Sequence, residues 1–252
     1  MRNTSRCRPS KRRARGSAMI EFVVVGPIIT LLGLGILQYC LMFFAKSQFD
    51  HAAFMAARAG SVAHAAIAAI RLAYQKALVP LYGGGQNSAE LDQAYARVRA
   101  DVTPQTVCIQ VLNPSRESYE DFATDAVLNA HYRVRAIPNT GLALRSDLDV
   151  VGARSRQTLQ DANLLKLRII HGYLPKVWLI GSLYNSFLRR QDDGVDAFKT
   201  QLIAQGRIPV VSHITLEMQS DALEQESDLV HFDLPRSNAL PSCNFQPEIH
   251  GL

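Results

Sequence analysis

The sequence EFVVVGPIITLLGLGILQYCLMFFAK, residues 21–46, decides the fold, because 24 residues without a formal charge, 22–45, separate Glu21 from Lys46. As an α-helix rising about 1.5 Å per residue, this run is about 36 Å long, which exceeds the roughly 30 Å hydrocarbon core of a bilayer. A secretory signal has a shorter apolar core followed by a small-residue cleavage site, whereas this run continues directly into Lys46. The stretch predicts a retained transmembrane anchor.

The net positive charge of the chain comes from the residues before this run. The chain has 27 Lys and Arg residues against 22 Asp and Glu, and seven of the basic residues lie in residues 1–16, which contain no acid. Residues 17–252 therefore carry 20 basic and 22 acidic residues, a net charge of −2. A basic flank on one side of an apolar helix predicts a cytoplasmic N-terminus and an exported C-terminal domain. Because the basic charge belongs to the leader, nucleic-acid binding loses its main support.

An acidic residue follows the basic leader at the start of the apolar run. The junction reads GSAMIEF, residues 16–22, so Gly16 precedes the Glu21 carboxylate by five positions. In one interpretation, Glu21 is an interfacial acid whose carboxylate reaches the lipid headgroups. In the other, Glu21 has a specific partner, because an acid within an apolar helix is unfavourable by about 2.5–3.5 kcal/mol at the helix centre. Cleavage after Gly16 would supply such a partner, the new cationic amine of Ser17 on a neighbouring helix.

These features together resemble a type IV prepilin processing site of the tight-adherence (Tad, or Flp) class. The segments EFVVVGPII, residues 21–29, and AARAG, residues 56–60, are similar to the TadE-like pseudopilin family. The resemblance covers residues 16–64, and weaker likenesses follow at residues 160–166 and 206–209. It implies cleavage by a prepilin peptidase, methylation of the new amine, and a non-enzymatic, minor pilin-like role in building a pilus or a related secretion apparatus.

The same resemblance gives roles to residues at the start of the helix. It implies that Gly16 and Ser17 flank the scissile bond and that Glu21, Phe22 and Pro27 serve recognition and assembly. The expected partners are the membrane, the prepilin peptidase, and other pilins and pilus-assembly proteins. On physical grounds, Pro27 lacks a backbone donor and is expected to bend or loosen the helix, with a kink of no functional importance as the alternative. No cofactor, metal, nucleic acid or small-molecule substrate is expected.

The sequence predicts an α+β fold behind a single anchor. The expected segments are a cytoplasmic leader at 1–16, a transmembrane anchor at 17–45, a helical extension at 46–80, a periplasmic α+β domain at 81–220, and a polar, proline-containing tail at 221–252. The extension carries one apolar stripe at helical spacing, formed by Phe49, Ala52, Ala56, Ala59, Ala63, Ile67, Ile70 and Tyr74. A long helix that is half in the membrane and half on a sheet is a pilin-like plan. The resemblance places the anchor in a bacterial inner membrane.

Alternating apolar and polar residues predict the strands of the domain. The runs lie at 106–111, 131–136, 165–170 and 210–218, and four such runs indicate an antiparallel sheet with one solvent-facing side. Short helices are expected at 87–102, from Pro175 to 188, and at 195–205. In the second of these, the pattern favours burial of Trp178 in the core over contact with lipid or a partner.

Two of the four cysteines lie in the predicted periplasmic part. Cys7 is in the leader and Cys40 in the anchor, whereas Cys108 and Cys243 lie where disulfides persist. A Cys108–Cys243 bridge would join the tail to a strand. The sequence leaves open whether their Cα atoms come within disulfide reach.

Sequence signatures of catalysis are absent. The chain contains no H-E-x-x-H, G-x-S-x-G, Walker or C-x-x-C pattern, and its seven histidines form no i, i+4 pair suited to zinc. The favoured prediction is therefore a structural, pilin-like subunit. The competing hypothesis is an uncleaved, membrane-anchored periplasmic domain that binds a cell-envelope ligand or performs unrecognised chemistry there.

Overall fold

A computed structural model of the chain describes residues 17–129, 132–142 and 149–224. The predicted leader at 1–16, including Gly16, and the tail residues 225–252, including Cys243, lie outside the described residues. The described part combines helices with antiparallel sheets, and its longest element is the N-terminal helix. This helix is the one element of the described chain that is long and apolar enough to cross a membrane.

After a long helical start, helices and strands are interspersed along the chain. The helices are α1 (Ser17–Val62), α2 (Ile67–Ala77), a 3-10 helix (Val79–Tyr82), α3 (Ser88–Asp101), α4 (Arg116–Phe122), α5 (Leu159–Ala162), α6 (Trp178–Gln191) and α7 (Ala197–Ala204). The strands are β1 (Val107–Asn113), β2 (Thr124–Asn129), β3 (Tyr132–Ile137), β4 (Leu164–Tyr173), β5 (Ile208–Glu217) and β6 (Ala222–Leu223). They form two three-stranded antiparallel sheets, in the orders β1-β4-β5 and β2-β3-β6.

The predicted strands exist, but they do not form one sheet. Three of the four alternating runs correspond to β1, β4 and β5, which pair with one another. The run at 131–136 corresponds to β3, which pairs instead with β2 and β6. Neither β2 nor β6, the two partners of β3, has an alternating pattern that predicts a strand. The sequence alone therefore does not show that β3 belongs to a second sheet.

Strand β4 is covered on both faces, contrary to the expected solvent-facing side. Its residues from Leu167 to Tyr173 are all buried. One face packs against α1, and on the other face Ile170 packs with Phe198 and Leu202 of α7. Arg168 supplies polar alternation in the sequence but is buried, because its guanidinium donates to Gln110 Oε1 and to Asp196 Oδ2, both at 3.0 Å. The buried Arg168–Asp196 ion pair therefore gives the sequence the same alternating pattern as a strand with a solvent-facing side.

The predicted helical extension is interrupted between α1 and α2. His64 and Ala65 have positive φ values of 59° and 61°, and the chain turns there so that α2 packs back along α1. The turn is stabilised from a distant part of the chain, since the His64 N–H donates to Ser220 Oγ at 3.0 Å and the His64 ring contacts the Asp221 carbonyl oxygen at 2.8 Å. The extension is therefore not one continuous helix to residue 80. The local sequence does not reveal the break, because Ser220 and Asp221, which stabilise the turn, are distant in sequence.

Gly60 lets α2 approach α1 closely. A Cβ at this position would lie 2.6 Å from Ile70 Cγ1 and 3.0 Å from Leu165 Cδ2, and both neighbours are fully buried. We expect Gly60→Ala to lower the free energy of unfolding by about 1–3 kcal/mol, the usual effect of overpacking a core. Urea unfolding in detergent micelles measures this loss.

A second glycine of α1 provides the control for Gly60. Nothing lies within 4 Å of a Cβ built on Gly35, so Gly35→Ala is expected to leave the urea midpoint unchanged or slightly raised, because Ala favours helix over Gly by about 1 kcal/mol. A Gly60→Ala variant as stable as the Gly35→Ala variant would contradict the close approach of the two helices.

Trp178 is exposed, contrary to the expectation that it packs in the core. Its exposed fraction is 79%. Helix α6 begins at this residue and not at Pro175, and its buried face holds Gly181 and Asn185. Gly181 approaches Pro175 so closely that a Cβ would lie 2.5 Å from the proline Cβ. Trp178 lies on the same face of α6 as Gly181 and Asn185, but at the first helical position its side chain stays uncovered.

Candidate functional site: the N-terminal helix

The N-terminal half of α1 is almost wholly exposed in the described structure. Its large apolar side chains with high exposure are Met19, Phe22, Val23, Val24, Val25, Ile28, Ile29, Leu31, Leu32, Ile36 and Leu37. Monomeric soluble proteins rarely expose so extensive an apolar surface. The composition and exposure of this segment are consistent with membrane anchoring.

The predicted site residues at the start of α1 are placed along one helix and not gathered into a pocket. Ser17 is the first residue of α1, and Glu21 follows it at the i+4 position, so the two backbone positions share one side of the helix. Glu21 and Phe22 are exposed, and Phe22 packs towards Gly26 one turn later. Pro27 lies inside α1, which remains helical through it. The structure thus places these predicted residues along one helix, with Glu21 and Phe22 accessible from outside.

Gln38 is a site residue that the sequence reasoning did not identify. Although it lies within the charge-free run, its side chain is only 5% exposed. The Gln38 Oε1 accepts from the Val177 N–H at 2.8 Å, and its Nε2 donates to the Tyr173 hydroxyl at 3.4 Å. The sequence feature that could have identified Gln38 is its amide among apolar residues, because burying an amide is unfavourable unless it is hydrogen-bonded. Gln38 therefore forms a contact between α1 and the domain within the apolar run.

The C-terminal half of α1 forms part of the domain core. Its buried face consists of Ala45, Phe49, Ala52, Ala53, Ala56 and Ala57. The small alanine side chains let the helix lie close to β4 and β5, with which α1 has its main sheet contacts. At one edge of this contact, the Ser212 hydroxyl of β5 donates to Asp50 Oδ1 at 2.6 Å. The helix is thereby fixed on the sheet by both apolar packing and a hydrogen bond.

An aromatic cluster of Phe49, Tyr74 and His171 lies where α1, α2 and β4 meet. The Phe49 and His171 rings stack with centroids 4.0 Å apart and an angle of 18°. The Tyr74 hydroxyl and His171 Nδ1 share a hydrogen bond of 2.9 Å. Burial lowers the pKa of His171 to about 3 and raises the pKa of Tyr74. Both side chains are therefore neutral at pH 7, and the cluster is a structural contact between helix and sheet.

A polar network borders this cluster. The Tyr82 hydroxyl donates to Asp101, and the Arg207 guanidinium donates to Asp101 Oδ1 at 2.7 Å and to the Gly172 carbonyl oxygen at 2.8 Å. Burial raises the pKa of Asp101, but the hydrogen bonds from Tyr82 and Arg207 outweigh it, so the pKa is lowered. The carboxylate is thus held in its charged form between two donors. The arrangement joins α3, β4 and the start of β5.

The described residues offer no metal centre. In residues 17–129, 132–142 and 149–224, no three His, Cys, Asp or Glu side chains lie together so as to hold an ion. Cys108 is buried and disulfide-bonded, whereas Cys40 is free and exposed. The predicted partner of Cys108, Cys243, lies outside the described residues, so this particular pairing stays a prediction.

Comparison with known proteins finds a family similarity along this helix. Residues 16–58 match a protein-family model described as TadE-like protein. No curated protein matches the chain, and no solved structure does so. The matched stretch contains Glu21, Phe22 and Pro27, and it ends within the buried half of α1. The resemblance inferred from the sequence is thereby confirmed for this stretch: residues 16–58 of the chain are similar to the TadE-like family.

Proposed function

We propose that this chain is a minor, pilin-like subunit that takes part in assembling a Tad-type (Flp) pilus or a related secretion apparatus, without catalysing a reaction. The observation that carries the proposal is the TadE-like match at residues 16–58. The helix geometry supports it, because one half of α1 is exposed and apolar while the other half belongs to the domain core. Such a helix is suited both to membrane anchoring and to packing beside other helical subunits.

The proposed location is a bacterial inner membrane, with the N-terminus in the cytoplasm and the domain in the periplasm. The seven basic residues before Ser17 support this orientation through the positive-inside rule. The disulfide-bonded state of Cys108 is compatible with it, because disulfides persist in the periplasm.

Processing is proposed at the bond between Gly16 and Ser17. The prepilin peptidase would remove the basic leader and leave a cationic amine on Ser17, the first residue of α1. Glu21 would then attract that amine on a neighbouring subunit, since opposite charges interact strongly near an apolar medium. Glu21 would act here as an assembly residue, and Phe22 and Pro27 would lie on the recognition surface of the same helix.

The N-terminal residue of the membrane-purified protein tests the processing step. In cells carrying the matching prepilin peptidase, we expect the wild-type chain to begin at Ser17 and the Gly16→Asp variant to keep the leader, because a side chain at the scissile position does not fit a narrow peptidase cleft. Asn3→Asp is the matched control, since it makes the same charge change within the leader and should still be cleaved.

Two results would count against this proposal. If the wild-type chain and both variants keep the leader, processing does not occur and the uncleaved, anchored binding domain becomes the better explanation. If Gly16→Asp is cleaved as completely as Asn3→Asp, the assigned bond is wrong. Edman sequencing or intact mass measurement distinguishes these outcomes.

A further inference from the structure

Helix α6 carries an apolar face that is exposed in the described structure. Leu179, Leu183 and Phe187 follow one another at i+4 spacing and form one stripe, with Ile180 and Tyr184 beside it. Leu183 is 69% exposed and Phe187 is 51% exposed. The opposite side of the helix, with Gly181 and Asn185, lies against the domain. Helix α6 therefore packs on the domain through Gly181 and Asn185, and its apolar stripe faces outwards.

The position of α6 along α1 sets its depth relative to a bilayer. The Val177 N–H, one residue before α6, donates to Gln38 Oε1 at 2.8 Å. Gln38 follows Glu21 by 17 residues, which is about 26 Å along a helix. With Glu21 at one boundary of a roughly 30 Å hydrocarbon core, Gln38 and the start of α6 lie close to the other boundary.

Aromatic residues mark the same level on α1. Tyr39, Phe43 and Phe44 are exposed and lie between Gln38 and the first charge, Lys46. Tyrosine and tryptophan concentrate at membrane–water interfaces, where an apolar ring and a polar group are both accommodated. Trp178, at the first position of α6, has this amphipathic character.

The charges of α6 are also suited to a lipid surface. The helix itself contains Arg189 and Arg190 and no acidic residue; Lys176 precedes it, and Asp192 and Asp193 follow it. Arg190 lines the same groove as Leu183 and Phe187. Long basic side chains extend along apolar surface and keep their charge at the level of the headgroups and water.

We propose that α6 is an interfacial helix whose apolar face is covered by a phospholipid bilayer, at the level where α1 leaves the hydrocarbon core. The helix has 14 residues, about 21 Å, so it is too short to span the membrane itself. The bilayer is favoured over a second copy of the chain because the depth, the aromatic residues and the basic charge all point to one interface. The proposal rests on the membrane anchoring of α1 and is independent of the pilus assignment.

The single tryptophan of the chain provides the test. The full chain is reconstituted into vesicles of phosphatidylethanolamine and phosphatidylglycerol whose acyl chains are brominated either near the headgroup or near the chain end. We expect a blue-shifted Trp178 emission, stronger quenching by the shallow bromines than by the deep ones, and protection from aqueous acrylamide.

A pair of α6 variants tests the face itself. Leu183→Glu places a charge in the apolar stripe, and we expect loss of the blue shift and of the quenching by brominated lipid. Ser182→Glu makes the same addition on the neighbouring polar side and should preserve both signals. Because both positions are exposed, far-UV circular dichroism should remain that of the wild type.

Three outcomes would overturn the proposal. An emission typical of water-exposed tryptophan, without quenching by brominated lipid, would place α6 in solution. A blue shift without lipid quenching, lost when protein is diluted in lipid, would identify a second copy as the cover. Failure of the full chain to float with the vesicles would refute the anchoring of α1 and this proposal with it, without bearing on cleavage after Gly16.

Discussion

Phe49→Ala is expected to lower the free energy of unfolding of the domain by about 3–5 kcal/mol, the usual range for removing a buried phenylalanine ring. Only 2% of the Phe49 side chain is exposed, and its ring stacks on His171. The neighbouring positions of the buried face are alanines, Ala45, Ala52 and Ala53, which have no flexible side chain to fill the cavity. The loss therefore acts directly on the contact between α1 and the sheet.

The loss of stability is measured by pulse proteolysis of the full chain in detergent micelles over a series of urea concentrations. Phe54→Ala is the matched control, because Phe54 belongs to the same helix but is 44% exposed, and its truncation is expected to have an effect of about 1 kcal/mol or less. Equal urea midpoints for the two variants would show that α1 contributes no core to the domain.

Acid is expected to destabilise the domain through His171, beginning near pH 6.5. Burial lowers the pKa of His171 from its ordinary value of 6.5 to about 3, while Asp101 raises it and Arg207 lowers it further. Below pH 6.5 the unfolded chain binds a proton that the folded chain excludes. Stability from this group is therefore complete above pH 6.5 and falls by about 1.4 kcal/mol per pH unit down to about pH 3.

The contribution of His171 is isolated by substitution. His171→Gln keeps an acceptor for the Tyr74 hydroxyl but does not titrate, so the dependence of the urea midpoint on pH between 6.5 and 4 should flatten. His213→Gln on β5 is the control, since His213 is exposed and its removal should leave the slope unchanged. Asp101, whose pKa is lowered from 3.8, contributes its own acid loss only below that pH. A slope that survives in His171→Gln would assign the sensitivity to another group.

The long-range part of the fold was less predictable than its helices and strands. The apolar stripe correctly identified Phe49, Ala52 and Ala56 as core residues, because helical periodicity reports burial directly. The turn at His64 was missed, since the groups that stabilise it lie in residues 220–221. Arg168 looked like a solvent-facing residue because an alternating pattern does not distinguish water from a buried ion-pair partner.

In the candidate site too, local sequence features were recognised and contacts between distant residues were not. Glu21, Phe22 and Pro27 were identified because they are anomalies within an apolar helix or belong to a resemblance, and the matched stretch includes them. Gln38 was overlooked although it too is an anomaly, because its significance depends on Val177, which is distant in sequence. Trp178 is assigned to the core by its residue type, whereas in the structure it is exposed at the first position of α6, although Gly181 on the same face is buried.

The continuity of α1 determines how the molecule responds to mechanical load. Its 46 residues make a rod of about 69 Å, and residues 45–57 of that rod are bonded to and packed on the sheet. Tension applied to the N-terminal end of α1 therefore reaches the domain first at Gln38 and then at β4 and β5, without passing through a loop. The turn at residues 63–66 follows this contact and connects α1 to α2. A displacement of the N-terminal half of α1 is therefore passed to the domain along one continuous helix.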